Sequence, residues 1–443
     1  MAEGVVQTVA SFQVVIAATL FLACYAFIVA EKIDRSIIAL SGAVLMIVFG
    51  IVDFQTAFTK HVHWETIFLL IGMMMLVGLS SKSGIFEYLA LKTAQSAKGN
   101  PKRILIRLAI LTAVGAAFID NVTMVLLVAP VTIAIANRLH LKATPFLITE
   151  ILLCNIGGTA TLVGDPPNIM IGTAAGLSFN DFLIHLAPVV LVLAVLVIVC
   201  CSLYYAKHLK IDDEHKDLLM NEDPRDYISD FGLAKKAVVV FSLTLLGFFL
   251  HNLLHLEPAV VALAGGTLLM LLGAKSYKAE KVFQSVEWVT IFFFVGLFVL
   301  VGGLVEVGII QQLASGMLAI TNNNLTQTTF ILLWGAGIAS SIVDNIPLVA
   351  TTIPLVQDMS SQLSLSASET APLWWALSLG ACLGGNGTLI AASANLIVAN
   401  IAAREGNPIS FIDFLKVSVP ITLGTLVIAS VYVYFVIILL GFA

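Results

Sequence analysis

Two Asp-Asn pairs, Asp120-Asn121 and Asp344-Asn345, interrupt long apolar stretches of the chain. A carboxylate held away from water can exchange a proton for a cation, and the neighbouring amide can complete the coordination. The pairs therefore point to ion binding. An ionisable group at membrane depth costs at least about 2.5–3.5 kcal/mol on insertion scales, which makes it a functional candidate by default. The competing reading is that each Asp only caps the helix that follows, but Ser or Asn caps as well without that cost. A third carboxylate, Asp165, stands in Gly164-Asp165-Pro166-Pro167-Asn168. It too could be a helix cap, with Pro166 at the first helical position where Pro is favoured. The matching place in the second half is Ala392. A duplicated frame that differs by one carboxylate implies that one half handles a proton or cation that the other does not.

Neutral polar groups surround these acids. Thr159, Thr161 and Asn168 follow Gly157-Gly158, while Asn386, Thr388, Ser393 and Asn395 follow Gly384-Gly385. The glycines permit close backbone approach, so hydroxyls, amides and backbone groups could together hold a neutral solute or a partly dehydrated cation. The alternative is that these side chains hydrogen-bond helix to helix. Cys154 and Cys382 precede the two breaks and would suit a thiophilic solute, but they are not equivalent in register, and tight thiolate binding would trap a substrate meant to leave. The five cysteines show neither a disulfide framework nor metal-ligand spacing. Glu150, Glu306 and Glu369 read as structural or surface residues, and the eight histidines fall in loops or at span ends.

The elements that position these groups follow from composition. At 59% hydrophobic and 11% charged, the chain is far more apolar than a soluble domain, which carries about 25% charged residues. It reads as an all-α polytopic membrane protein. Spans of roughly 20 apolar residues are expected near 11–30, 36–53, 65–81 and 184–206, with a broken helix at 145–176 interrupted at 157–166. A re-entrant hairpin at 103–138 turns about Phe118-Ile-Asp-Asn-Val-Thr123. The first repeat thus covers 1–206 and a hydrophilic linker 207–236. The second repeat, 237–443, has spans near 237–254, 258–273, 289–305 and 416–440, a hairpin at 328–360 and a broken helix at 372–399 interrupted at 384–394.

The duplication is visible in the residues. Ser36-Ile-Ile-Ala-Leu-Ser-Gly-Ala matches Ala259-Val-Val-Ala-Leu-Ala-Gly-Gly, Trp64-Glu-Thr-Ile-Phe matches Trp288-Val-Thr-Ile-Phe, and Thr161 and Asn168 align with Thr388 and Asn395. Five spans per half is an odd number, which makes the repeat inverted. Broken backbone at membrane depth is tolerated only where protein or a water-filled cavity satisfies it, so the paired breaks mark a site. Cytoplasmic loops carry excess Lys and Arg. That rule puts Lys32, Arg35, the linker and Lys278 on one side with Lys60 on the other, so both termini are expected outside and the linker in the cytoplasm. The N-terminus lacks the basic region and small-residue cleavage site of a signal peptide, so the first span is expected to be retained. Nothing suggests nucleic acid, and no phosphate-loop motif for ATP is present.

The run Gly157-Gly-Thr-Ala-Thr-Leu-Val-Gly-Asp-Pro-Pro-Asn-Ile-Met-Ile171, with the paired Asp-Asn tips, resembles the ion transporter superfamily. Within it the chain looks like the ArsB/NhaD branch of arsenite efflux permeases, sodium–proton antiporters and the melanosomal P protein. The resemblance implies a homodimer with an elevator-type transport domain, and binding motifs at Asp120, Asn121, Thr161, Asp165, Asn168, Asp344, Asn345, Thr388 and Asn395. The expected location is the bacterial inner membrane, among lipid, and an external ATPase subunit of the kind some arsenite permeases recruit could dock on the linker. Dicarboxylate symporters of the superfamily carry Ser-Asn-Thr at both tips, where this chain has Asp-Asn-Val and Asp-Asn-Ile. Like charges would then oppose a di- or tricarboxylate. The expectation is a proton-coupled exporter of a small inorganic solute, arsenite or antimonite first. A sodium–proton antiporter is the alternative, and a citrate transporter or an intramembrane hydrolase using two aspartates fits less well. The coupling ion is H⁺ or Na⁺, with no other cofactor and no enzymatic activity expected.

Overall fold

The chain's apolar segments become helices because a backbone without water must satisfy its own N–H and C=O groups. The computed structural model describes residues 11–30, 32–207, 209, 222–274 and 277–441. The linker's centre, 210–221, lies outside the described residues. Every regular element among the described residues is helical. Seven of these helices are long and apolar enough to cross a membrane, by length and composition.

The two halves run through one element order. In the first, Ser11–Ala30, Arg35–Val48 and Trp64–Ser81 lead to the hairpin Pro101–Ala116/Asn121–Arg138, the broken pair Thr144–Gly158/Pro166–Ala175 and Ala187–Tyr204. In the second, Phe231–Leu254, Pro258–Gly273 and Trp288–Glu306 lead to Leu325–Ser340/Asn345–Gln362, Ala367–Gly384/Ser393–Arg404 and Phe411–Tyr432. Several elements escape the sequence reading, among them Phe179–His185, Ala279–Phe283 and a matched pair. Ile85–Ser96 and Ile309–Ile320 each follow a left-handed glycine, Gly84 at φ 77° and Gly308 at φ 76°. At 12 residues each they are too short to span. The second half also starts earlier than expected, at Phe231, because Asp230 caps the helix by accepting from Leu233 N at 2.9 Å.

The halves interlock through matched crossings. Trp64–Ser81 packs on Pro258–Gly273, and Trp288–Glu306 packs on Arg35–Val48. At the first crossing a Cβ on Gly72 would lie 2.5 Å from the Ala262 carbonyl carbon, and at the second a Cβ on Gly296 would lie 2.6 Å from that of Ala39. Small residues permit such approach between membrane helices, where packing rather than hydrophobicity drives association. Within each half the first hairpin arm packs on the first piece of the broken helix, Pro101–Ala116 on Thr144–Gly158 and Leu325–Ser340 on Ala367–Gly384. The second arm packs on the other half's far piece, Asn121–Arg138 on Ser393–Arg404 and Asn345–Gln362 on Pro166–Ala175. The inverted repeat therefore brings both tips and both breaks to one place.

Candidate functional site

Both hairpin tips turn at an aspartate in the N-cap position. Asp120 accepts from Thr123 N at 3.0 Å, and Asp344 accepts from Ile346 N at 3.0 Å. Each caps its arm with one oxygen and has the other to spend. Asp165 differs. It occupies the N-cap position of Pro166–Ala175 but makes no side-chain cap, because Pro166 and Pro167 bring no N–H to the first turn. Its Oδ2 instead accepts from Asn345 Nδ2 of the opposite tip at 3.4 Å.

Asp120, Asp165 and Asn345 share a cavity of about 30 Å³, which Asn121 and Ser393 also line, all five singled out from sequence. Arg35, Glu287 and Thr290 complete its polar wall and were not. Asp120 and Asp165 are 8% and 2% exposed, and with the partly buried Glu287 they make three carboxylates on the wall that one guanidinium, Arg35, shares. Arg35 is committed to Asp344, with Nη1 3.0 Å from Oδ2. Ser393 Oγ donates to the same Asp344 oxygen at 2.8 Å and lies 2.6 Å from Arg35 Nη1. Asp344 faces a wider recess of about 480 Å³ together with Lys32, Asp34, Arg35 and Ser393.

The remaining candidates hold the breaks together and do not line the cavity. Asn168 Nδ2 donates to the Thr159 and Thr161 carbonyls at 3.2 and 3.0 Å, and Asn395 Nδ2 donates to those of Gly385 and Thr388 at 2.8 and 3.0 Å. Thr161 Oγ1 donates to the Ala117 carbonyl, and Thr388 Oγ1 to that of Ser341 at 2.8 Å. Thr159 bonds back to its own helix at Asn155 O, 2.8 Å away. Asn386 Nδ2 donates to Leu152 O at 3.2 Å. Broken backbone needs such partners at membrane depth.

The glycines serve the same packing. A Cβ on Gly157 or Gly384 would strike the carbonyl oxygen of Ala113 or Gly337 on the hairpin arm. One on Gly158 would come 2.5 Å from Asn121 Oδ1, whereas Gly385 is less confined, with its nearest neighbour at 3.2 Å. Asn155 joins the halves. Its Nδ2 reaches Oδ1 of Asn386 at 2.9 Å and of Asn395 at 3.0 Å. The matched contact is Cys382 Sγ to Asn168 Oδ1 at 3.6 Å. Glu150, expected to be structural, is buried and accepts from Thr132 Oγ1 at 2.6 Å.

This arrangement can be compared with known proteins. A family model described as "Citrate transporter" (CitMHS) matches residues 25–380. The chain belongs to the CitMHS family. Its relatives include an uncharacterised transporter of Mycobacterium tuberculosis, 40% identical over 424 residues, which cover 95% of this chain and 98% of the relative. An uncharacterised transporter of Synechocystis is 30% identical, over 93% of this chain and 95% of the relative. The P protein of Sus scrofa is 30% identical over 512 residues, 98% of this chain and 60% of that longer protein. Among solved structures the YdaH transporter of Alcanivorax borkumensis, described as having an unusual topology, superposes with a TM-score of 0.61 at 11% identity over 95% of this chain and 97% of that one. That likeness is one of fold. This CitMHS family member is thus an integral membrane transporter, and the substrate is a separate question.

Proposed function

We propose that the chain is a secondary active transporter in which Asp120 and Asp165 exchange a small cation for protons. The observation that carries this reading is the carboxylate-lined cavity of about 30 Å³, room for about two waters. Two carboxylates in one low-dielectric space cannot both stay ionised without a cation or a proton between them, so occupancy by one favours release of the other. Alternating exposure of such a site to the two sides of a membrane couples the two fluxes.

Of the solutes expected from sequence, this geometry favours cation–proton exchange over arsenite. Thr159, Thr161, Asn168, Asn386, Thr388 and Asn395, which could have held a neutral trihydroxide, are bonded to protein, and the cavity sets Asp120, Asp165 and Glu287 beside its few neutral polar groups. Citrate, the substrate in the family's description, finds one favourable partner in Arg35. An anion bound there would also have to offset the nearby carboxylates. The orientation expected from loop charges, with the linker cytoplasmic, belongs to the same proposal, as do the homodimer and the elevator motion.

Proteoliposomes of the purified protein, assayed side by side for Na⁺-driven pH change, arsenite flux and citrate flux, test this. Na⁺-driven pH changes without arsenite or citrate flux are expected. Citrate flux with no proton or cation dependence would sink the proposal.

A further inference from the structure

The two halves treat their tip aspartates unequally, and the inequality lies in two matched positions. Arg35 is the first residue of Arg35–Val48, and its counterpart, the first residue of Pro258–Gly273, is Pro258. Ser393 is the first residue of Ser393–Arg404, and its counterpart at the start of Pro166–Ala175 is Pro166. Arg35 and Ser393 are the two side-chain donors to Asp344 Oδ2, at 3.0 and 2.8 Å. Both counterpart places hold proline, which has neither a side-chain donor nor an N–H, and of the two Pro166 lines the cavity beside Asp120. Among the described residues no Lys, Arg or His lies within ion-pair distance of Asp120. Asp165 has been added beside it instead, where the second half has Ala392.

We infer that Arg35 is a tethered cation: its guanidinium fills at Asp344 the position that a free cation or proton takes at Asp120 and Asp165. Without it Asp344 would be a second acidic tip in need of a counterion, and Arg35 leaves one exchanging site, at Asp120 and Asp165. The guanidinium suits the task because it is always charged and binds carboxylates in a fixed fork. Its plane is further held over the Phe293 ring, with Cζ 4.8 Å from the centroid. Arg35 thus determines ion stoichiometry and specificity without being part of the exchanging pair.

The inference deepens the cation-exchange reading and rests on its assignment of Asp120 and Asp165, so its test must separate the two. The purified full chain in detergent is titrated with NaCl against choline chloride at constant ionic strength, at several pH values, with the thermal unfolding midpoint as readout. Wild type and Arg35→Lys are expected to show one saturable Na⁺- or proton-dependent shift. Arg35→Gln gains a second shift, because Asp344 is now an uncompensated carboxylate, and the Arg35→Gln/Asp344→Asn double variant returns to one.

A folded Arg35→Gln protein with wild-type ion dependence overturns the inference, as does a second shift that persists in the double variant. Folding of the double variant but not of Arg35→Gln supports it, since removing the carboxylate then removes the need for the cation. Failure of both to fold overturns it, because Arg35 would then hold the structure by more than its charge. If wild type shows no ion response and Arg35→Gln gains one, the exchange reading fails while the tethered cation stands.

Discussion

Asn155 Nδ2 donates to Asn395 Oδ1 at 3.0 Å, joining the first half's break to the second's at full burial. The same amide reaches Asn386 Oδ1 at 2.9 Å, so its removal strands two acceptors where water is scarce. A buried polar group left unsatisfied costs about 1–3 kcal/mol. Asn155→Ala is therefore expected to lower the thermal midpoint of the detergent-solubilised protein, and Asn155→Leu to be no better, since shape is not what is missing. An unchanged midpoint in both would mean that the amide network does not hold the breaks.

Asp165→Asn separates ion exchange from capping more cleanly than any other change. Asp165 makes no side-chain cap, and Asn can still meet Asn345, so the fold should survive while coupled flux in proteoliposomes falls to background. Asp120→Asn should do the same, because Asn caps as well as Asp. Wild-type exchange rates in either variant would remove that residue from the mechanism.

The positions of both breaks and both tips were legible in the sequence because the duplication prints them twice. Gly157-Gly158 and Gly384-Gly385 stand out against apolar surroundings, and so do Asp120-Asn121 and Asp344-Asn345. Arg35 was not legible as a site residue. It lies 309 positions from Asp344, and charge counting treats it as one more basic residue in a loop. Glu287 was hidden in the same way, as the residue before the Trp288 that opens a span. The threonines and asparagines show the opposite limit. Their types announce polar chemistry at membrane depth, but composition cannot say whether a hydroxyl faces a solute or a backbone carbonyl. The structure directs Thr161 to Ala117 O and Thr388 to Ser341 O.

Gly72 and Gly296 offer a test of the inverted repeat. Each lies where a helix of one half crosses a helix of the other, and a Cβ on either would meet backbone atoms within 2.6 Å. Backbone cannot rotate aside as a side chain can, so Gly72→Ala and Gly296→Ala should each destabilise by about 1–3 kcal/mol, the usual cost of overpacking. The two losses are expected to match in size when unfolding midpoints are compared. A large effect at one and none at the other would show that the crossings are not equivalent.

His61 supplies a pH dependence remote from the cavity. It sits between the spans Arg35–Val48 and Trp64–Ser81, its side chain 8% exposed and 2.9 Å from Glu306 Oε1. Lys60 Nζ approaches the same oxygen at 3.0 Å. Burial pulls the His61 pKa below the ordinary histidine value and outweighs the opposing pull of Glu306, with Lys60 adding to the depression. The unfolded chain therefore takes up this proton near pH 6.5, while the folded chain takes it up only at lower pH. Between those values the unfolded state binds more protons, so stability falls as pH drops through that window and is fully present above it. In melting curves taken from pH 7.5 downward, His61→Gln is expected to flatten the acid limb. An acid limb identical to wild type would place the titrating group elsewhere.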